Sequence, residues 1–291
     1  GPPSSGGTLL INMLNMLENF NLDTIGWNSS DYIHLLTEIE RRAYADRSEH
    51  MGDPDFWSVP IKMLISKDYA KNRIKDISLE LASKSKEVFP GNPYKKENIE
   101  TTHYSIIDKF GNAISVTTTL NTNFGSGIIV KGAGFFLNNE MDDFVSKPGI
   151  PNYYGLVGNE ANAIEATKRP LSSMTPTIVV RNNSPFIILG SPGGSTIITS
   201  VMQVILNATV FGMNIQEAVS SPRFHSQWLP DLIMIEPRSF PKDIINNLKK
   251  RGHAISIYRN GYIGEVNAIL INNNYFNGAS DVRTDGSAIG Y

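Results

Sequence analysis

The sequence predicts a layered α+β fold from two patterns that meet near residue 100. Upstream of that point, apolar residues recur at helical spacing. Downstream, runs of β-branched residues alternate with turn residues, and helices lie between the runs. Helices that flank antiparallel hairpins are typical of α+β domains. The chain has 291 residues, of which 41% are apolar and 19% charged, and this balance supports a substantial hydrophobic core.

The first hundred residues are predicted to be mainly helical. Residues 8–20 carry apolar side chains at helical spacing. A second helix is predicted over residues 31–44, preceded by serine and aspartate residues of the kind that cap helices. A loop through residues 52–55 follows, and we expect further helical stretches to about residue 88.

The residues after Glu100 predict strands. Residues 101–108 and 113–120 are rich in β-branched residues and flank a turn, so they predict a β-hairpin. A long loop is predicted over residues 147–166, and loops of that length are usually functional or disordered. The later elements are predicted as two strands within residues 176–189, helices over 196–211, 215–220 and 242–251, and a final hairpin within 264–279.

Composition excludes several classes of function. A net charge of −2 gives no overall basic field for nucleic acid. The absence of cysteine excludes a thiolate nucleophile and cysteine-ligated metals. The five histidines are scattered, with no pair at i, i+4 spacing, so a metal site is disfavoured. We also expect no cofactor.

Neither a membrane span nor a signal peptide is predicted. No stretch of about 18 apolar residues occurs. The opening residues 1–7 lack a signal-peptide pattern and look like a loop from inside a longer polypeptide. We therefore expect the natural chain to continue upstream.

In a chain without cysteine, covalent acyl transfer needs serine, threonine or lysine as nucleophile. No G-x-S-x-G elbow is present, and the S-x-x-K match that begins at Ser83 lacks its companion motifs. A threonine exposed as a new N-terminus can act as both nucleophile and base, because its own α-amine accepts the hydroxyl proton. Thr101 stands at a predicted strand start, although a threonine there more often reflects β propensity alone.

Longer motifs make the interpretation specific. They are TTHYS from Thr101, LNNEMDDF from Leu137, KRPLSSM from Lys168, GSPGG from Gly190, SPRFH from Ser221 and, upstream, PPSSGG from Pro2, ADR from Ala45 and GDP from Gly52. Together they resemble the γ-glutamyltransferases, also called γ-glutamyltranspeptidases, over nearly the whole chain.

The resemblance implies an N-terminal nucleophile hydrolase with an αββα sandwich, made as a precursor that cleaves itself between Glu100 and Thr101. Residues 1–100 would be the C-terminal, mainly helical part of the large subunit, and residues 101–291 the small subunit. The rest of the large subunit, with an arginine that clamps the substrate carboxylate, would be a missing partner. Arg169, Arg223 and Arg283 are not assigned that role. Full-length relatives are exported, so a periplasmic or secreted location is expected.

The resemblance also assigns roles to individual residues. Thr101 would be the nucleophile, and Thr119, predicted on the second strand of the same hairpin, would hydrogen-bond its oxygen. The remaining roles are an oxyanion hole at Gly193 and Gly194, ammonium binding by Asn121, Glu140 and Asp143, carboxylate binding by Ser172 and Ser173, and a lid covered by Tyr154. Without the family resemblance, each of these residues would be interpreted as an ordinary loop, turn or strand residue. Glu140 stands where many bacterial members have glutamine.

The implied reaction is hydrolysis and transfer of γ-glutamyl groups through a γ-glutamyl–threonine ester. Glutathione or another γ-glutamyl compound would be the donor, and water, an amino acid or a peptide the acceptor. Two alternatives remain open: a relative acting on poly-γ-glutamate or acylated β-lactams, and an inactive fragment. The long loop at residues 147–166 favours a small substrate, because a lid shields the acyl-enzyme from water.

Overall fold

The computed structural model describes residues 3–91, 103–258, 261–272 and 275–290. The predicted nucleophile Thr101 and the predicted cleavage site after Glu100 lie outside the described residues. Among the helices of the described ranges, none has the length and the apolar composition needed to cross a lipid bilayer.

The helices before residue 100 include one long buried helix, the second, which packs against the first. They are α1 (Gly6–Leu17), α2 (Ser30–His50), α3 (Ile61–Leu64) and α4 (Lys67–Arg73). Helix α2 begins where the Ser29 side chain accepts a hydrogen bond from the Tyr32 backbone N–H. It runs further than predicted because its buried charges find partners, as in the Glu38–Arg42 ion pair at 2.7 Å. The helical stretches expected up to residue 88 are wrong in extent, since only α3, α4 and a 3₁₀ turn form there.

Nine strands form three sheets in the described part of the chain. The first sheet is the hairpin β1 (Tyr104–Ile107) and β2 (Ala113–Val116). The second joins β3 (Thr177–Arg181), β4 (Ser184–Gly190), β8 (Asn267–Asn272) and β9 (Tyr275–Ala279) in that order. The third joins β5 (Phe224–His225), β6 (Ile233–Ile235) and β7 (Ile255–Ile257), with β6 and β7 parallel. The third sheet escaped prediction because strands of two or three residues show no periodicity.

Three further helices follow the first strands, of which the first two pack against the sheets and the third packs against α2. They are α5 (Thr196–Thr209), α6 (Ile215–Ser220) and α7 (Lys242–Lys250), all close to their predicted bounds. Helix α5 is buried along most of its length and contacts α1, so it joins the helical part of the chain to the sheets. The α+β prediction is confirmed.

The hairpin β1–β2 packs with an unusual polarity. Its half-buried face, which mixes small polar and apolar side chains, meets the second sheet, where Ser115 Oγ donates a hydrogen bond to the Leu189 carbonyl at 3.1 Å. The opposite face carries Tyr104, Ile106 and Ile114, each about half exposed. Alternation along a strand normally places the apolar face inward. We call these three residues the open hairpin face.

The start of the chain is tied to the middle of the sequence. Ser4 and Ser172 form an isolated parallel bridge, and the Ser5 backbone N–H donates to the Ser172 carbonyl at 3.1 Å. Arg169 pairs with buried Asp53 at 2.9 Å. These contacts hold the loop of residues 168–174 against α1 and α2, where it forms one wall of a cavity.

Candidate active site

A cavity of about 1250 Å³ opens between the helices, the second sheet and the long loop. Nine of the ten predicted site residues lie in the described part of the chain, and eight of them line it: Thr119, Asn121, Asp143, Tyr154, Ser172, Ser173, Gly193 and Gly194. Glu140 lies on the same 3₁₀ turn as Asp143 but does not line the cavity. The structure therefore brings together residues up to 75 positions apart in the sequence. Their roles stay predictions.

The placement of Thr119 differs from the prediction. Strand β2 ends at Val116, so Thr119 lies beyond the hairpin rather than on its second strand. Its Oγ1 accepts a hydrogen bond from the Asn121 backbone N–H at 2.8 Å, and Asn121 has a positive φ of 74°. The side-chain hydroxyl competes with the strand ladder for the backbone here, which is a common way for threonine to end a strand.

Gly193 and Gly194 form the turn that leads from β4 into α5. Their φ angles are 133° and 57°, in the region that favours glycine. A Cβ on Gly193 would lie 2.6 Å from Thr196 Oγ1, and one on Gly194 would lie 2.9 Å from Cγ of the Tyr154 ring. Within the described residues neither amide N–H donates to an acceptor, and both stand at the N-terminal end of a helix. That arrangement suits an oxyanion.

Arg47 is a cavity residue that the sequence reasoning missed. It comes from α2, is almost fully buried, and donates from Nε to Ser5 Oγ at 2.9 Å. Its Nη2 reaches both the Ser172 carbonyl and Ser173 Oγ at 3.4 Å. Burial lowers the pKa of Arg47, and the nearby Asp143 carboxylate opposes that effect. The ADR motif marked the residue, but no pattern along the sequence indicated that its side chain reaches the cavity.

Tyr154 closes the long loop over the cavity. Its hydroxyl donates to the Asn121 carbonyl, and its own carbonyl accepts from Gln227 Nε2 at 3.1 Å. Burial raises the pKa of Tyr154, so the phenol stays protonated and keeps this hydrogen bond. The loop is thus held at both its backbone and its side chain. Of residues 147–166, only 160–162 form a regular element, a 3₁₀ turn.

His103 lies two residues after the predicted nucleophile and is held firmly. Its Nδ1 lies 2.9 Å from Thr117 Oγ1, and its Nε2 lies 2.8 Å from Ser105 Oγ. Burial lowers the pKa of His103 to about 4, so the ring is neutral at pH 7. The ring also packs against Gly190 at the end of β4. These contacts fix the start of the hairpin against the second sheet.

Three buried residues outside the cavity approach each other as metal ligands would. Within the described ranges, His34, Glu38 and His253 are the group whose ligand atoms all lie within 4.8 Å of one another. However, His34 Nδ1 and His253 Nε2 already share a hydrogen bond at 2.7 Å. The Glu38 carboxylate is also occupied, by Arg42 and by the Ser83 backbone N–H. We therefore interpret the group as a structural cluster, and the expectation of no metal stays a prediction.

The fold is α+β and of the type found in N-terminal nucleophile hydrolases. The chain belongs to the γ-glutamyltranspeptidase family, whose model matches residues 1–291. It is similar to the glutathione hydrolase proenzyme of Escherichia coli, with 47% identity over 292 aligned residues that cover all of this chain and 50% of the relative. The chain spans about half the length of the curated relatives it matches.

Two solved structures are also similar to this chain. A mutant γ-glutamyltranspeptidase from Helicobacter pylori is 56% identical with a TM-score of 0.61, and covers 63% of this chain and all of its own. A cephalosporin acylase from Bacillus halodurans is 27% identical with a TM-score of 0.84, and covers all of this chain and 51% of its own.

Proposed function

We propose that this chain carries the catalytic machinery of a γ-glutamyltransferase that also hydrolyses glutathione and other γ-glutamyl compounds. The single observation that carries the proposal is the cavity in which a cationic Arg47, an anionic Asp143 and the glycine pair converge. An α-amino acid end presents one carboxylate and one ammonium. The cavity offers Arg47 to the carboxylate, in addition to the arginine expected from the missing part of the large subunit, and Asp143 to the ammonium. No cofactor enters the proposal.

Thr101 is the proposed nucleophile after cleavage of the Glu100–Thr101 bond. Its α-amine takes the hydroxyl proton as the oxygen attacks the γ-glutamyl carbonyl. The N–H groups of Gly193 and Gly194 stabilise the oxyanion, and the leaving amine departs with the proton. Water or an acceptor amine then attacks the ester and releases the threonine.

The proposed cut divides the chain into residues 1–100 and 101–291. The H. pylori relative supports a processed piece of about this size, because its chain is matched along its full length yet covers only 63% of this one. The small-subunit segment would be 191 of the 291 residues. The printed name of the E. coli relative, a proenzyme, also supports processing of a precursor.

The open hairpin face supports a partner for this chain. An apolar strand face in a sheet is stable when another layer covers it. Because the relatives are about twice as long, we propose that the other half of the family protein, the remaining part of the large subunit, supplies this layer. We also propose export to the periplasm or the cell exterior, on the strength of the family alone.

The test is release of p-nitroaniline from γ-glutamyl-p-nitroanilide by this chain together with its amino-terminal half. Thr101→Ala is expected to abolish both turnover and cleavage into pieces of 100 and 191 residues on a denaturing gel. Thr101→Ser keeps the hydroxyl and serves as the matched control, with partial activity expected. Full activity in Thr101→Ala would disprove the nucleophile assignment, and an uncut, inert wild type would indicate an inactive fragment.

A second candidate function is acylase activity on β-lactams, favoured by the likeness to the B. halodurans acylase over the whole chain. The same protein would be tested with glutaryl and γ-glutamyl anilides, which differ only in the α-amino group. A preference for the glutaryl compound would support the acylase. The lid held by Tyr154 argues against a polymer such as poly-γ-glutamate, because a closed loop leaves no path for a long chain.

A further inference from the structure

The cavity offers one more charge than a γ-glutamyl donor needs. In the described part of the chain, the charged side chains lining it are Arg47, Asp143 and Glu265. The first two match the α-carboxylate and the α-ammonium of the donor. Glu265 therefore remains for a second ligand that carries a positive charge.

Glu265 is positioned by the same turn that carries the glycine pair. Its backbone N–H donates to Ser191 Oγ at 2.8 Å, within the GSPGG motif. The preceding residue, Gly264, lies close to Gly193: a Cβ added to Gly193 would lie 3.3 Å from the Gly264 Cα. Glu265 thus lies beside the proposed oxyanion hole.

The lid contacts Gly194, the second glycine of the pair. The Tyr154 ring packs on Gly194, while Gly264 packs on Gly193. The glycine turn consequently lies between the lid, which covers the donor end, and the wall formed by Tyr262 and Glu265. A molecule that approaches the acylated nucleophile from this wall meets the carboxylate of Glu265.

The side chain of Glu265 is free to bind such a molecule. Its carboxylate forms no ion pair or hydrogen bond with any residue of the described ranges, and the residue is exposed. Tyr262, also on this wall, is 59% exposed. Partial burial and the nearby Asp281 carboxylate raise the pKa of Glu265, so the group gains from a cation or a proton brought next to it.

We propose that Glu265 binds the amino group of the amino acid or short peptide that accepts the γ-glutamyl group. This inference rests on the proposed transferase function. The acceptor arrives as an ammonium with three N–H bonds. One proton passes to Glu265, the nitrogen attacks the ester carbonyl, and the carbon–oxygen bond to Thr101 breaks. A second proton passes to the Thr101 oxygen through its α-amine, the third stays on the new amide, and Glu265 returns its proton to solvent.

The experiment compares Glu265→Gln with the wild type, each together with its amino-terminal half, using γ-glutamyl-p-nitroanilide and subsaturating glycylglycine. The ratio of γ-glutamyl-glycylglycine to glutamate formed is expected to fall about tenfold or more, as for loss of a charged hydrogen bond. Glu80→Gln, an exposed change away from both the cavity and the lid loop, should keep the wild-type ratio. Hydroxylamine, an acceptor that is uncharged at neutral pH, should give similar product ratios with Glu265→Gln and wild type.

Each outcome decides between the two proposals. A glycylglycine ratio within about twofold of wild type, or equal losses with both acceptors, would overturn the role of Glu265 while leaving the transferase intact. A wild type that releases no p-nitroaniline would instead overturn the proposed function and this inference with it. Partial recovery of the ratio in Glu265→Asp is the further result expected if the carboxylate itself is responsible.

Discussion

Gly190→Ala tests how the second sheet positions the start of the hairpin. Gly190 ends β4, and an added Cβ would lie 2.5 Å from Cγ and 2.6 Å from Cε1 of His103. Ordinary van der Waals contact begins at 3.4 Å, so the ring must move by nearly 1 Å. That movement breaks the hydrogen bonds of His103 to Thr117 and Ser105.

The expected cost follows from these contacts. Overpacking a core costs about 1–3 kcal/mol, and each hydrogen bond contributes about 0.5–1.5 kcal/mol. The two estimates overlap, because the movement of the ring is what breaks the bonds. We therefore expect the free energy of unfolding to fall by about 2–4 kcal/mol. Because His103 is two residues from Thr101, turnover should fall by about 100-fold as well, in line with a 1 Å misplacement.

Urea denaturation and the p-nitroanilide assay measure the two effects, with Gly290→Ala as the control because that position has open space around it. The steric origin is checked in the double variant Gly190→Ala/His103→Ala, in which the alanine at 190 should cost far less than it does alone. A Gly190→Ala protein within about 0.5 kcal/mol of wild type, and fully active, would refute the reasoning.

Three other changes probe the cavity and the buried histidines. Gly194→Ala places an alanine at a φ of 57°, with its Cβ 2.9 Å from Cγ of the Tyr154 ring. Turnover should therefore drop about 100-fold while the circular dichroism spectrum stays that of the wild type. Normal turnover would argue against an oxyanion role for Gly194. Arg47→Met should lower kcat/KM for γ-glutamyl-p-nitroanilide by about 10- to 100-fold. The loss should be much smaller for the 4-aminobutyryl analogue, which lacks the α-carboxylate. Equal losses of kcat/KM for both substrates would indicate that Arg47 has a purely structural role. Burial lowers the pKa of His225 to about 4 and that of His253 to about 3. Since the unfolded chain binds these protons from about pH 6.5 downward, stability is complete above that pH. As the pH falls toward about 4, the free energy of unfolding decreases by up to about 1.4 kcal/mol per pH unit for each histidine. Thermal melts between pH 7.5 and 4.5 should show this slope, and His225→Gln should flatten it; a melting temperature independent of pH would contradict the assignment.

The sequence patterns identified the elements that have regular periodicity or clear turns. The strands around residues 181–184 and the helix α6 match their predictions closely, because turn residues and a capping box mark their ends. Helix α2 was predicted too short, since its second half is rich in charged residues that the pattern assigns to solvent. The structure buries Arg41 and Arg42 there and pairs them with carboxylates. Partners that are far apart along the chain cannot be read from local periodicity.

The site was predicted through motifs rather than through physical patterns. Ser172, Gly193 and Asp143 are ordinary loop residues by composition, and only the family resemblance marked them. Neither source indicated Arg47 as a cavity residue, because its side chain reaches the cavity through the burial of α2 against the loop of residues 168–174. Thr119 was misplaced for a local reason: its hydroxyl binds the backbone two residues on, and the strand has already ended.

The contacts that join the segments before and after the proposed cleavage point have a thermodynamic consequence. Ser5 binds Ser172, Asp53 holds Arg169, and His34 meets His253 across the proposed cleavage point. Cutting the chain after Glu100 would leave these contacts in place, so we expect the two pieces to stay together as a complex. Unfolding, however, would then release two molecules instead of one. The melting temperature of the processed protein should consequently rise with its concentration, whereas that of the uncut precursor should not.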